Sequence, residues 1–496
     1  MAKQKEIIEK FYLGKKLENA YSVKNMEKAY LSLKKKHKDF PYLKIETTHL
    51  YVRFYNLDSD ELEYIEVKNP VEIFTHPLDY ELIGTGDFML DKEVADLYSV
   101  VPVNYDFGKV CYEIIEKCYI PSEKACEAEK MVEEESLRHS GNNPSPKAKA
   151  AAGWKYPKGY IKVYDTEKKT YVPVQKVKVR TWFLMRISTT YTSTSGYYSM
   201  PVPFLVNPYY SVVFNNQTGF SIWGNLAFLA TAYYNLGRQS KNGYSKSFAV
   251  SSGAWKWATI NNAEYIYRET ICTAFTIPKP ISNLKIWCIP RSGGWSGSAP
   301  MLRHITASPS TISSLLTLLG ISNFVGSTMA VIVALLRLIA PDIFYLSQTN
   351  ETKYIFSHIF HESSHASHCT QAGSQYWSWY INQIIANGGY GNGPTATTGV
   401  IGVGEMWGYY AEQVWDDYYG IGADYSDIDD EWFKPSIFKD LREQIPGLSM
   451  SELFSCLTID VIDVALLKSK ILNRYGSYHG HNYSNIINQI FEEKGF

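Results

Sequence analysis

His361-Glu362-Ser363-Ser364-His365 reads H-E-x-x-H, a pattern that can hold a metal and a base together. Two histidines spaced i and i+4 share one face of a helix, so both imidazoles can reach one ion. Zn2+ accepts imidazole nitrogen readily. Glu362, directly after the first histidine, would reach the ion's water rather than the ion and could serve as a general base. His358 and His368 extend the same stripe, at spacings of 3, 4 and 3. At a rise of about 1.5 Å per residue, His368 would lie about 10 Å along the axis from His361. Zinc–nitrogen bonds of about 2 Å do not bridge that distance together with His365. His358 and His368 therefore read as supporting or packing residues.

A catalytic zinc keeps three protein ligands and an open position, so the third ligand must come from a different element. The best candidate segment is Gly404-Glu-Met-Trp-Gly-Tyr-Tyr-Ala-Glu412. With the HExxH motif, this segment resembles the second zinc-binding helix of the gluzincin metallopeptidases, the thermolysin and aminopeptidase clan. The matching positions are Glu405, the small Gly408, the aromatic Tyr410 and Glu412. The resemblance implies that Glu405 is the third ligand, that Glu412 supports it, and that the activity is peptide-bond hydrolysis. Thirty-nine residues separate His365 from Glu405, more than in common members, which leaves Glu412 as the alternative ligand. The metzincin pattern is disfavoured, because it needs glycine where this chain has His368.

Such chemistry also needs a donor for the tetrahedral oxyanion. Tyr475, Tyr478 and His479, in RYGSYHGHNY, are the candidate cluster. Charge supports a cation site. From Tyr354 to Phe433 there is no Lys or Arg, while ten acidic residues occur. That stretch attracts cations and repels anionic substrates. Its acidic loop, Asp424–Glu431, lacks the glycine and terminal glutamate spacing of an EF-hand.

These side chains need a scaffold. Glu351–Thr370 and Glu405–Tyr419 read as the two helices of the site, joined by a Gly-rich loop at 386–404. PDIFYL at 341–346 reads as a strand that could pair with an extended peptide. Ala254–Tyr267 reads as a helix. Ile321–Ala340 is almost long enough to span a bilayer, but its Ser, Asn, Thr and Arg residues favour a buried helix.

Upstream, Asn25–Lys38 has helical spacing and His49–Tyr55 alternates like a strand. Residues 140–153 (SGNNPSPKAKAAAG) read as a linker. Beyond it, Gly159–Asp165, Val172–Val179 and Tyr209–Phe214 are short alternating strands between Thr/Ser/Gly turns, which predicts an antiparallel sandwich. The order of GYIKVYDT, VPVQKVKV and TSTSGYY resembles the carboxypeptidase regulatory-like, prealbumin-like β-sandwich, which implies an accessory module. Residues 17–36, THLYVRFYNLDSDELEYI and FTHPLDYELIGTGDF resemble the leading region of surface lipoproteins from gut bacteria. That likeness implies a cell-envelope or extracellular location and a membrane link only through a lipid anchor. The N-terminus itself has no signal-peptide apolar core.

Composition bounds the rest. At 496 residues the chain is too long for one core. Hydrophobic residues at 45% and charged residues at 20% exclude wholesale disorder. A net charge of −1 argues against nucleic acid bound by bulk charge. Seven scattered cysteines, with no C-x-x-C pair, offer neither a zinc finger nor a full disulfide framework. Aromatics at 15%, 39 of them Tyr, suit a peptide- or sugar-binding surface as well as a core. The expected fold is multidomain α+β. It comprises a mixed domain over 1–153, a prealbumin-like antiparallel β-sandwich over 154–250 and a mainly helical zincin-like domain over 251–496. The expected function is zinc-dependent hydrolysis of peptides or proteins, glycoproteins included. The alternative is a cell-surface peptide- or glycan-binding protein that keeps the metal for structure.

Overall fold

The computed structural model describes residues 9–88, 96–122, 124–143, 153–224, 230–290, 296–305, 308–321, 340–422, 428–429 and 431–496. Most of the 140–153 linker, nearly all of the apolar stretch 321–340 and most of the acidic loop 424–431 lie outside these residues. Among the described residues, no helix is long and apolar enough to cross a membrane. The fold is mixed α and β, with several antiparallel sheets and a mainly helical C-terminal region. Two compact units divide the chain. The first comprises Met1–Tyr164, Tyr171–Gln217 and Asn225–Ala258, and the second Asp165–Thr170, Thr218–Gly224 and Thr259–Phe496. All seven cysteines are unpaired.

In the first unit, helix Val23–Lys36 starts at Ser22, whose hydroxyl accepts from the Asn25 amide. Its buried Met26, Ala29, Tyr30 and Leu33 fall at i, i+3, i+4 and i+7, one helical face, and pack with Val132 of helix Glu127–His139. Strand His49–Phe54 runs antiparallel between Leu97–Pro102 and Tyr112–Cys118. Another antiparallel set has Val177–Phe183 between Arg186–Tyr191 and Tyr209–Asn216, with Tyr233–Arg238 on the far side of Tyr209–Asn216. The expected strand Val172–Val179 is in fact two, Thr170–Pro173 and Val177–Phe183. Lys176, between them, takes a left-handed φ of 56° that breaks the pleat. Phe11, Tyr51, Phe74, Trp182, Tyr209 and Tyr233 form the aromatic heart of this unit's core.

In the second unit, three parallel strands lie in the order Phe220–Trp223, Leu284–Cys288, Ile343–Tyr345. The two-residue strand Gly297–Ser298 adds antiparallel to Ile343–Tyr345. The strand in PDIFYL is therefore paired on both sides, and cannot take an added peptide as the sequence suggested. The edge belongs to Gly297–Ser298. The motif helix Thr352–Ala372 packs on Ile343–Tyr345 and Gly297–Ser298, and the connecting helix Ser374–Asn387 and the partner helix Gly399–Tyr419 pack on the motif helix. The partner helix begins six residues before Glu405, inside the stretch expected to be loop. Its glycines allow close packing: a Cβ at Gly402 would lie 2.6 Å from the Trp432 ring, and one at Gly404 2.7 Å from the Tyr380 ring. Tertiary contact overrides the poor helix propensity of glycine here.

Candidate metal centre

The motif helix is buried on nearly every side. At its start, the Thr352 amide donates to the Thr166 hydroxyl at 2.7 Å and the Thr166 amide to the Thr352 hydroxyl at 3.0 Å. This exchange satisfies one of the helix's four orphan amides. Helical spacing then brings His361 and His365 together, with Nε2 atoms 3.0 Å apart. Glu405, one-hundredth exposed, comes in from the partner helix. Its Oε2 lies 3.5 Å from His361 Nε2, and its Oε1 3.6 Å from His365 Nε2.

The donor set fits a divalent ion. Ligand atoms about 2.0–2.1 Å from one tetrahedral zinc lie about 3.3 Å from each other. The observed 3.0, 3.5 and 3.6 Å bracket that edge. Glu405 Oε2 is buried without a hydrogen-bond partner, a costly arrangement that a cation would relieve. Among the described residues, these three make the one cluster of His, Cys, Asp and Glu with metal-holding geometry.

Space for the convergence comes from Gly408. A Cβ there would stand 2.7 Å from His365 Cε1 and 2.9 Å from His361 Cε1. One turn further, Glu412 Oε2 sits 3.0 Å from His361 Nδ1. The Glu412 carboxylate can only accept, so Nδ1 carries the proton of this bond, and Nε2 is the atom that would face an ion, as where outer carboxylates hold zinc-binding histidines. Glu412 is thus a partner of His361 alone, and Glu405 faces both imidazoles. Tyr380, on the connecting helix, donates its hydroxyl to Glu405 Oε1. Trp377 stacks on Tyr380 with centroids 4.6 Å apart, and its indole N–H donates to the Ala299 carbonyl at 2.8 Å, beside the edge strand.

The Glu362 carboxylate lies against the edge strand. A Cβ on Gly297 would stand 2.5 Å from Glu362 Oε1, so any larger residue there would displace the carboxylate. Burial pushes the Glu362 carboxyl up to about 8; His361 opposes the shift, while Glu405 and Glu412 add to it. Burial lowers His365. His361 is raised well above the usual histidine range: burial works against the charge, but Glu405 and Glu412 together outweigh it.

The remaining expected residues lie as follows. His358 packs toward Tyr345, with centroids 6.2 Å apart, and His368 against Tyr376 and Trp377 at 4.9 and 5.5 Å. Tyr475 donates to the Glu452 carbonyl at 3.0 Å, and Tyr478 to Glu452 Oε1 at 2.8 Å. His479 rests on the Tyr478 ring at 4.0 Å. Neither tyrosine hydroxyl bonds to His361, Glu362, His365 or Glu405. Both are committed to the segment that carries Glu452. Tyr410 packs on Phe438 and its hydroxyl accepts from Arg442.

Tyr409, which the sequence reading passed over, has its ring 4.7 Å from His361, edge to face. Its position four residues after Glu405 was a legible signal. Tyr380 and Gly297 carried no such signal, because only packing brings them to the site. No family model, no curated protein and no solved structure matches this chain.

Proposed function

We propose that the chain is a zinc-dependent hydrolase of peptide bonds. The observation that carries this reading is the convergence of His361, His365 and Glu405, with the buried carboxylate of Glu362 beside them and held against an edge strand. A purely structural site has no use for that fourth group. A divalent ion held by the three residues would supply an acidified water and polarise a carbonyl. Glu412 holds the His361 tautomer, and Tyr380 and the two imidazoles orient Glu405. Glu362 accepts a proton from the attacking water and delivers it to the leaving nitrogen. Among the described residues Gly297–Ser298 pairs only with Ile343–Tyr345, so an extended peptide could add on its other side, next to Glu362.

The test uses Glu362→Gln, which keeps size and polarity but removes the proton acceptor. The variant should keep its fold and zinc content and lose about 10²–10⁴-fold in rate on a library of unstructured peptides. Zinc-loaded parent protein that cleaves nothing in such a library, glycopeptides included, would give the binding-protein reading precedence. Zinc would then be structural, and the aromatic surface would become the place to look for a ligand.

A further inference from the structure

Two of the three residues between the histidines, Ser363 and Ser364, are serine, and two further serines lie on the same helix. All four are buried, and each ties the motif helix to a neighbour. Ser357 donates to Asp416 of the partner helix. Ser364 accepts from the Trp415 indole N–H at 2.9 Å and donates to the Phe360 carbonyl at 2.7 Å. On the other flank, Ser367 Oγ lies 2.9 Å from the Tyr267 hydroxyl. Ser363, fully buried, donates to Glu264 Oε2 at 2.5 Å.

Glu264 is also fully buried, and its other oxygen accepts from Arg268 Nε at 2.6 Å. Arg268 in turn donates to the carbonyls of Pro280 at 3.3 Å and Ile281 at 2.8 Å. The anchor therefore has both ends fixed. A buried carboxylate with two charge-assisted or short hydrogen bonds has little freedom to move.

Successive residues on a helix differ by about 100° in direction, so the bond at Ser363 governs the azimuth of its neighbours Glu362 and His365. A rotation of about 15° at a ligand atom roughly 6 Å from the axis moves that atom by about 1.5 Å, several times the tolerance of about 0.2 Å for a metal bond. We infer that Ser363, held by the Glu264–Arg268 pair, is a positioning residue that sets the rotation of the motif helix and thereby the metal geometry of His361 and His365. The inference rests on the metal reading above.

The experiment compares the purified full chain with Ser363→Ala, Ser363→Thr and Ser136→Ala. Ser136 is the matched control: it is fully buried in the first unit and donates to the Ala20 carbonyl at 2.5 Å. Zinc affinity is measured by chelator competition, and the visible d–d bands of the Co2+-loaded protein report coordination geometry. Ser363→Ala should keep the far-ultraviolet circular dichroism of the parent, lose about 10–100-fold in zinc affinity and show altered Co2+ bands. Ser363→Thr, which keeps the hydroxyl, should restore the parent bands, and Ser136→Ala should leave affinity and bands unchanged. Parent-like affinity and bands in Ser363→Ala would overturn the inference while leaving the metal site standing. Equal losses in Ser363→Thr or Ser136→Ala would also overturn it, since packing or general stability would then explain the effect. If Ser363→Ala does not fold, Ser363→Cys takes its place, keeping the volume while weakening the donor, with the same two outcomes. A parent that takes up neither metal overturns both readings together.

Discussion

Replacing Gly408 with Ala tests whether close approach of the two helices holds the site. The added methyl would stand 2.7 Å from His365 Cε1, 2.9 Å from His361 Cε1 and 2.9 Å from His365 Nε2. Carbon atoms rest at about 3.5–4.0 Å, so relief needs a displacement of about 1 Å. Metal–ligand bonds tolerate about 0.2 Å. The methyl therefore cannot coexist with both imidazoles in their present places. The metal-free chain should lose no more than about 2 kcal/mol of stability. Overpacking costs about 1–3 kcal/mol, and the better helix propensity of Ala returns about 1 kcal/mol. Zinc affinity, by contrast, should fall by at least about 100-fold. At a fixed excess of zinc, that loss removes about 2.7 kcal/mol of metal-induced stabilisation. The assay is chelator competition, with thermal unfolding in the presence and absence of zinc. Gly393→Ala is the control, because a Cβ there meets nothing within 4 Å. Unchanged zinc affinity in Gly408→Ala, with the fold intact, would refute the argument that glycine makes room for the ligands.

Glu405→Gln should weaken zinc binding by more than about 100-fold and Glu412→Gln by about 10-fold, since one carboxylate faces both imidazoles and the other orients one of them; a metal titration with the reverse order would move the third ligand to Glu412. In the first unit, burial holds His76 down to about 4, helped by the nearby Arg180 and opposed by its bond to the Pro77 carbonyl. The unfolded chain binds that proton near 6.5, so this contribution is complete above pH 6.5 and is lost as pH falls toward 4, by about 3 kcal/mol. Urea unfolding of the first unit should show that slope, and His76→Phe should flatten it; an equal slope in the variant would assign the acid sensitivity elsewhere. Glu133→Ala strips the buried Arg186 of its carboxylate, 3.2 Å away, and Tyr21 of its acceptor at 2.6 Å. The first unit should lose about 3–5 kcal/mol in urea unfolding, and a loss under 1 kcal/mol would mean that Arg186 is satisfied by the Pro203 and Pro121 carbonyls alone, to which it donates at 3.0 and 3.3 Å.

Much of the site's local order was legible without coordinates. The i, i+4 spacing of His361 and His365 needs only helical geometry, and the expected Glu351–Thr370 matches Thr352–Ala372 to within two residues at each end. Helix Val23–Lys36 and strand His49–Phe54 were likewise readable from apolar period alone. Other features depend on contacts far apart in sequence. Gly399–Gly404 joins the partner helix because Trp432, Tyr380 and the Ile462 carbonyl fill the space where side chains would be. The strand in PDIFYL was recognisable, but only pairing shows that both its edges are taken. Tyr475 and Tyr478 have the chemistry of oxyanion donors, yet Glu452 engages their hydroxyls. Spacing along one chain sets which side chains share a helix face, and so the sequence alone named His361, Glu362 and His365. Which carboxylate meets them, which glycine makes the room and which serine holds the helix at its angle depend on how separate elements pack. That is a property of shape complementarity between residues such as Gly408, Gly297 and Glu264, and only the tertiary structure decides it.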